Sequence, residues 1–487
     1  MRFSFPTGFR RLFITLASGI VIFAGTVIAI QFAKGYRPDG KGILSGTGVI
    51  QGTGLLSANS FPRGAQVYIN GTLRTATDNT LNLIPGSYDL EIKKDGFYSW
   101  KKTVIVEKEL VIQTNARLFP TAPELTPLTF TGADRLTPSA DGQKIAFFTA
   151  SSSSELKNGL YVYELSDNFL SLQKGARQIL QPEKGFDLST AEIVWSPDSS
   201  QLLIAIRDSY YVLDSSKANT LATLQPATSK LPTVFAEWEE ELARKEHARL
   251  ALFPTELQRI ATTSATNVYV SPDEDRLLYT MISDDNLANA LVPPVPASNS
   301  QPQARELKMG SVYVYDRKED RNFFIMIDDH LLSSLTATPL PKSTSKSKTI
   351  ATPQPAQNDE VKKVTLGAML ASTSASKNSP IQPASAQYHM LTDLPVRTAM
   401  HQLQAQYSGL GASTAQWFPD SKHLILPYRQ GTVIVEYDGT NATTVYNGPI
   451  SSPFVFPWPN SSKLVILANF NVNEGGMQNM YAVGLGE

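Results

Sequence analysis

Cysteine is absent from all 487 residues, which removes disulfides, thiolate metal sites and cysteine nucleophiles together. Surplus charge is missing as well: 43 Lys and Arg stand against 44 Asp and Glu, a formal net charge of −1. Binding to nucleic acid draws on excess basic residues to neutralise phosphates, so no nucleic-acid partner is expected. The five histidines, His247, His330, His389, His401 and His423, are dispersed, with no His-x-x-x-His or His-Glu-x-x-His spacing. Gly46, Gly48, Gly52 and Gly54 do not form a dinucleotide fingerprint, and there is no Walker-type loop. Gly411-Ala412-Ser413-Thr414-Ala415 lacks the final glycine of a nucleophile elbow. The paired acids Asp284-Asp285 and Asp328-Asp329 read as solvated loop. From residue types and spacing we expect no catalytic residue, no cofactor and no metal, and hence no enzyme.

Long apolar runs are almost absent too, with one exception. Leu12 to Phe32 carries no charge, and Gln31 is its only strongly polar residue. About 20 apolar residues suffice to cross a bilayer core. Arg2, Arg10 and Arg11 precede the run without any acid, a weak bias towards a cytoplasmic N-terminus. A cleaved signal peptide is the competing reading, but it calls for a shorter core of about 7–15 residues and a small-x-small exit, neither of which is present. The expectation is an anchor at residues 1–33, lipid contact through Leu12–Phe32, a flexible Gly-rich stalk at 34–53, and the remainder outside the cytoplasm.

A chain of this length suggests two or three domains, and its 31 prolines and 30 glycines fit a turn-rich β protein. In residues 54–119, Ala65, Val67 and Ile69 alternate with Gln66 and Tyr68, the period of a half-buried strand. Asn70-Gly71 signals a tight hairpin, because both residues tolerate positive φ. Pro85-Gly86 and Asp95-Gly96 mark two further turns. In Pro62-Arg63-Gly64-Ala65, proline suits the end of one strand, glycine the turn, and alanine the buried start of the next. Arg63 then points outward, and the corner reading is preferred to an anion site. The module is small for a self-sufficient core, so its aromatics are expected to supply much of the packing.

With Val67-Tyr68-Ile69-Asn70-Gly71, Pro85-Gly86-Ser87-Tyr88 and Asp95-Gly96-Phe97-Tyr98 in order behind that corner, this stretch resembles the PEGA domain. The resemblance implies a small β-sandwich of the kind found in prokaryotic envelope and surface-layer proteins. Its pattern departs near Thr77-Asp78, where a Thr-Pro pair is usual.

Beyond Pro120, SADGQKIAFF, SPDSSQLLIAI, SPDEDRLLYTM, FPDSKHLILPY and WPNSSKLVIL align at Asp141, Asp198, Asp273, Asp420 and Asn460. Four positions later each copy opens an apolar strand. A fixed strand–turn–strand unit signals a repeat architecture, and these motifs resemble TolB-like and WD-repeat-like β-propellers. The recurring acids read as caps of hairpin turns, accepting bonds from backbone amides, in preference to a ring of metal ligands. We expect an all-β chain: a transmembrane helix, a PEGA-like sandwich, then a β-propeller of five to seven blades at residues 120–487. A strand near Leu125–Phe130 is expected to complete the last blade.

Three insertions interrupt the repeats. Residues 231–260 hold the one convincing soluble helix, Thr233–Leu252, with Phe235, Trp238 and Leu242 at helical spacing and Pro254 after it; it is expected to pack across one propeller face. Residues 284–308 and 335–387 are polar, Pro- and Ser-rich, and expected to be disordered. The functional expectation is a membrane-anchored, extracytoplasmic, non-enzymatic binding or scaffold protein of the bacterial envelope, with a propeller face for recognition and the PEGA-like module as spacer or wall contact. Its expected partner is an envelope protein or a cell-wall polymer. The alternative is an envelope hydrolase or lyase with a site assembled on the propeller face.

Overall fold

A computed structural model describes residues 7–33, 36–38, 50–150, 152, 154–166, 175–183, 188–220, 224–293, 295–296, 299–329, 391, 394–408, 415–428, 431–451, 454–470 and 477–486. The apolar run forms helix α1, Thr7–Ala33, and its Phe13–Ile30 window has a mean hydropathy of 2.4 with none of it buried. Among the described residues it is the one helix long and apolar enough to cross a bilayer. The ends of the expected stalk are not free chain: Tyr36–Pro38 pairs antiparallel with Ile50–Gly52.

The next module has two faces. Thr72–Ala76, Gln66–Ile69, Gly86–Lys93 and Trp100–Val106 form an antiparallel sheet in that order. Asn79–Leu83, Gly54–Ala58 and Val111–Gln113 form the other, the last pair parallel. Its core is chiefly aliphatic, with Leu56, Val67, Ile69, Leu90, Ile92 and Val106 buried, and Trp100 is its one fully buried aromatic. Tyr88 and Phe97 pack half-buried against it, so the aromatics expected to supply much of the packing share it with a larger aliphatic set. Short strands with inward alternation fill a thin sandwich largely with Val, Ile and Leu.

Five repeat sheets follow. Sheet A contains Asp134–Pro138, Lys144–Thr149, Gly159–Glu164 and Ala176–Leu180; sheet B contains Glu192–Trp195, Gln201–Ile206 and Ser209–Asp214. Sheet C contains Ala265–Val270, Arg276–Met281, Ser311–Asp316 and Arg321–Ile327; sheet D contains Gln416–Trp417, His423–Tyr428, Gly431–Glu436 and Thr443–Asn447. Sheet E contains Val455–Pro457, Lys463–Ala468 and Asn479–Gly484, and takes Leu125–Pro127 as its fourth strand, antiparallel to Asn479–Gly484. Apolar faces pack A on B, C on D, D on E and E on A.

Between B and C the partner is helical. Helix α2, Leu231–Leu250, lays Leu231, Phe235, Trp238 and Leu242 on Val194, Leu203 and Ala205 of sheet B. Helix α3, Thr255–Thr263, packs Leu257 and Ile260 against sheet C. Helix α4, Val396–Ser408, joins the α2 cluster through Ala399, Met400 and Leu403. The expected single helix is therefore one of three α-helices beyond α1 among the described residues, and α2 stands between two sheets, not across a propeller face. The physical reason is its apolar stripe, which a flat face with solvent above would leave half uncovered. Residues 284–308 are also ordered in their described part. Asp285–Asn286 pairs with Glu306–Leu307, and Arg305 bonds the Ala288 carbonyl at 2.8 Å. The 335–387 insertion lies outside the described residues, as do His330 and His389.

Candidate functional site at the module junction

The corner residues are held locally. Gly64 has φ +72°, Ala65 is fully buried, and the Ala65 amide donates to Thr77 Oγ1 at 2.9 Å. Thr77 thereby closes the corner at the point where the sequence departs from its usual pattern. Arg63 stands 86% exposed, 3.4 Å from Asp78. Asn70 and Gly71 take φ +49° and +76°, and Asn70 Oδ1 also accepts the Asp89 amide. Pro85 lies in the bend after Asn79–Leu83, and Gly86 opens the next strand.

The repeat acids bind their own turns. Asp141, Asp198 and Asp273 accept from Gln143, Ser200 and Asp275 amides, and from Ser139, Ser196 and Ser271 hydroxyls. Asp420 accepts from the Lys422 amide and Asn460 from the Ser462 amide. The next residue is left-handed at each non-glycine turn: Ser199, Glu274, Ser421 and Ser461 have φ between 59° and 67°. No group of three or more metal-ligating side chains occurs among the described residues.

These turns also link neighbouring sheets through a cation. Lys144 of sheet A donates to the Ser199 carbonyl of sheet B at 3.2 Å, while the Asp141 amide donates to Ser199 Oγ. Arg276 of sheet C donates to the Ser421 carbonyl of sheet D at 3.1 Å, while the Asp273 amide donates to Ser421 Oγ. Across the B–C gap, Lys245 of α2 donates to the Pro197 carbonyl at 3.2 Å. In sheet D the corresponding position is His423, whose ring turns back onto Asp420 at 2.7 Å. Arg117 of the first module bonds the Ser461 carbonyl of sheet E at 2.5 Å. Its guanidinium lies over Phe418, 5.1 Å from the ring centroid.

The first module is docked by further buried charge. Lys102 Nζ lies 2.6 Å from both Glu436 and Asp438; the three side chains are 12%, 11% and 0% exposed. Burial alone would lower the lysine, but the two carboxylates outweigh it and hold the ammonium above its ordinary value. Asp438 is held below the usual carboxylate range: burial opposes this, and Lys102 and Asn299 overcome it. Trp100 Nε1 donates to Glu436 Oε1, and Asn441 Nδ2 donates to the same oxygen at 3.0 Å. From the 284–308 stretch, Asn299 Nδ2 donates to Asp438 at 2.6 Å and Gln301 Nε2 to the Thr103 carbonyl at 2.8 Å. This stretch is a strap across the junction.

Beside the ion cluster lies a cleft of ≈ 320 Å³, with Ile105, Val111, Gln113 and Asn115 on one wall and Arg276, Glu319, Lys422 and Tyr437 on the other. Arg276 stacks on Tyr437 at 4.0 Å and sits 2.8 Å from Asp316 as an ion pair, not aligned as a hydrogen bond. Burial pushes Glu319 up and Tyr437 up to about 12. His423 also lines the cleft; burial would raise its partner Asp420, but the imidazole and the turn amides hold it low. Among the described residues the His423 ring bonds Asp420 and no hydroxyl.

Sequence reasoning missed Lys102, Arg117, Glu436 and Asp438. One signal was available: Lys102 shares the inward phase of Trp100, Val104 and Val106, and a cation on that phase demands a buried partner.

The site and fold define an apolar N-terminal helix followed by a β module fused to a set of repeat sheets. Residues 53–122 match the PEGA domain, and the chain thus carries that domain behind its apolar helix. Similar solved structures include TolB from Agrobacterium tumefaciens (10% identity, 75% of this chain and 90% of that one, TM-score 0.19). Others are TolB from Acinetobacter baumannii (12%, 82% and 61%, 0.18) and oligogalacturonate lyase from Vibrio parahaemolyticus (7%, 82% and 87%, 0.24). At TM-scores of this size the likenesses carry no activity across. No curated protein matches the chain by sequence.

Proposed function

We propose that this chain is a single-pass, membrane-anchored binding protein of the bacterial envelope, with its N-terminus cytoplasmic and its head outside. In this reading sheets A to E are propeller blades. Helices α2 and α4 take the place between B and C, and Leu125–Pro127 closes the last blade. The PEGA domain is then a fixed part of the head, not a swinging spacer. The carrying observation is the desolvated Lys102–Glu436–Asp438 cluster, which fixes the two modules and leaves a polar cleft between them. Recognition falls to that cleft in preference to an open propeller face, and the role is non-enzymatic. Hydrolysis is the second reading, favoured by the raised Glu319 carboxyl beside the Asp420–His423 pair.

Membrane fractionation and protease treatment of spheroplasts test the placement. The intact chain should sediment with membranes and lose its head to external protease. Recovery from cytosol, or a protected head, refutes it.

A further inference from the structure

The junction cleft carries more, given that reading of the head as a binding unit. Its volume lies at the lower end of small-ligand sites. The deep charges in and around it are already cancelled: Lys102 by Glu436 and Asp438, Arg276 by Asp316 and Asp273. A charged ligand entering such a desolvated wall needs an uncompensated opposite charge. Lys422 and Glu319 line the same wall. The groups left to bind are mostly neutral. Gln113 Nε2 and Asn115 Oδ1 make no hydrogen bond within the described residues, and one Glu319 oxygen remains beside the oxygen that accepts the Asn299 amide. Ile105 and Val111 expose an apolar strip next to these amides, and the Tyr437 ring lies on the facing wall.

Planar amides that donate and accept, beside an apolar strip and an aromatic ring, suit a ligand with hydroxyl edges and a C–H face. We infer that the cleft binds a neutral mono- or disaccharide, held by Gln113 and Asn115 with its apolar face on Ile105 and Val111. The Lys102 cluster positions the walls and does not touch the sugar.

The test uses the full chain in a sugar-free detergent. Saturation-transfer NMR and calorimetry are run with cellobiose, maltose and N,N′-diacetylchitobiose, and with digalacturonate and trialanine as charged and peptide probes. At least one neutral disaccharide should bind saturably. Gln113→Ala with Asn115→Ala should weaken it at least tenfold, whereas Arg63→Ala, on the exposed corner, should leave it unchanged. Unchanged thermal unfolding of the double variant separates lost contacts from lost fold. The inference is overturned if no neutral disaccharide binds, or if binding is confined to digalacturonate or trialanine and depends on Lys422. Fractionation reads the anchored placement independently, so either idea can fail without the other.

Discussion

The C–D and D–E junctions pose the same problem and meet it differently. At C–D, Arg276 is carried by the sheet itself and reaches the Ser421 turn. At D–E the sheet carries His423, too short and already turned onto Asp420, and Arg117 reaches the Ser461 turn from another module. The repeat therefore tolerates a missing cation where a neighbour supplies one. The PEGA domain makes largely buried polar contacts to sheets D and E through Lys102 and Arg117, and on this geometry its removal is expected to destabilise both.

Removing the ion that holds the modules together should break this most severely. Lys102→Ala leaves Glu436 and Asp438 buried without a counter-charge, a loss of about 3–5 kcal/mol, read as a lowered denaturant midpoint. The triple variant Lys102→Met, Glu436→Gln, Asp438→Asn should recover much of it, because the uncompensated charges go as well. If the single variant unfolds like the parent, the module is not locked. Arg117→Ala should cost less, about 1–3 kcal/mol, since it loses one hydrogen bond to a carbonyl and its stacking on Phe418. His423→Arg in that background restores the C–D pattern and should return part of the loss; no recovery would show that the two junctions are not equivalent.

The same comparison shows what the sequence could express. Turn acids, strand starts and the Asn70-Gly71 hairpin are local, and a single motif specifies each. The wedge between B and C is not local: it joins α2, from the gap after Asp198, to α4, from the gap after Asp273. The first reads in sequence as a helix lying on a propeller face, and the second lies outside the three insertions that the sequence marks. Helix α4 was missed because Val396, Ala399, Met400 and Leu403 give a modest stripe among glutamines, which tertiary packing against sheet B turns into a stable helix. The candidate site was legible only as an anomaly of phase at Lys102. Its acids, hundreds of residues away, gave no pattern to pair with it.

The wedge offers a subtler test against the sheet–sheet junctions. Burial lifts Glu246 of α2 to about 7, partly opposed by Arg249; Tyr269 of sheet C is raised chiefly by its own burial and further by the Glu246 charge. An acid with a folded pKa above its unfolded value is disfavoured once ionised. Its contribution is therefore neutral below about pH 4.5 and becomes increasingly destabilising as pH rises to about 7. Glu246→Gln should flatten that segment of the stability profile, a gain on the order of 1–2 kcal/mol at pH 8 after discounting for partial exposure. Hydrogen exchange should place the change in α2 and leave sheets D and E unaltered. A parent profile with no slope between those pH values would show that water reaches the carboxyl.

The corner should give the smallest effect. Arg63 is nearly free in solvent, and its 3.4 Å approach to Asp78 is a surface pair, a class that contributes between zero and about 1 kcal/mol. The main-chain bonds of the corner run through Ala65 and Thr77, and its left-handed turn through Gly64. Arg63→Ala should therefore move the denaturation midpoint within error, whereas Thr77→Val, which removes the acceptor of the buried Ala65 amide, should cost about 1–3 kcal/mol. If the arginine variant were the more damaging of the two, Arg63 would be engaged by something other than its own fold, and the corner would have to be reopened as an anion site.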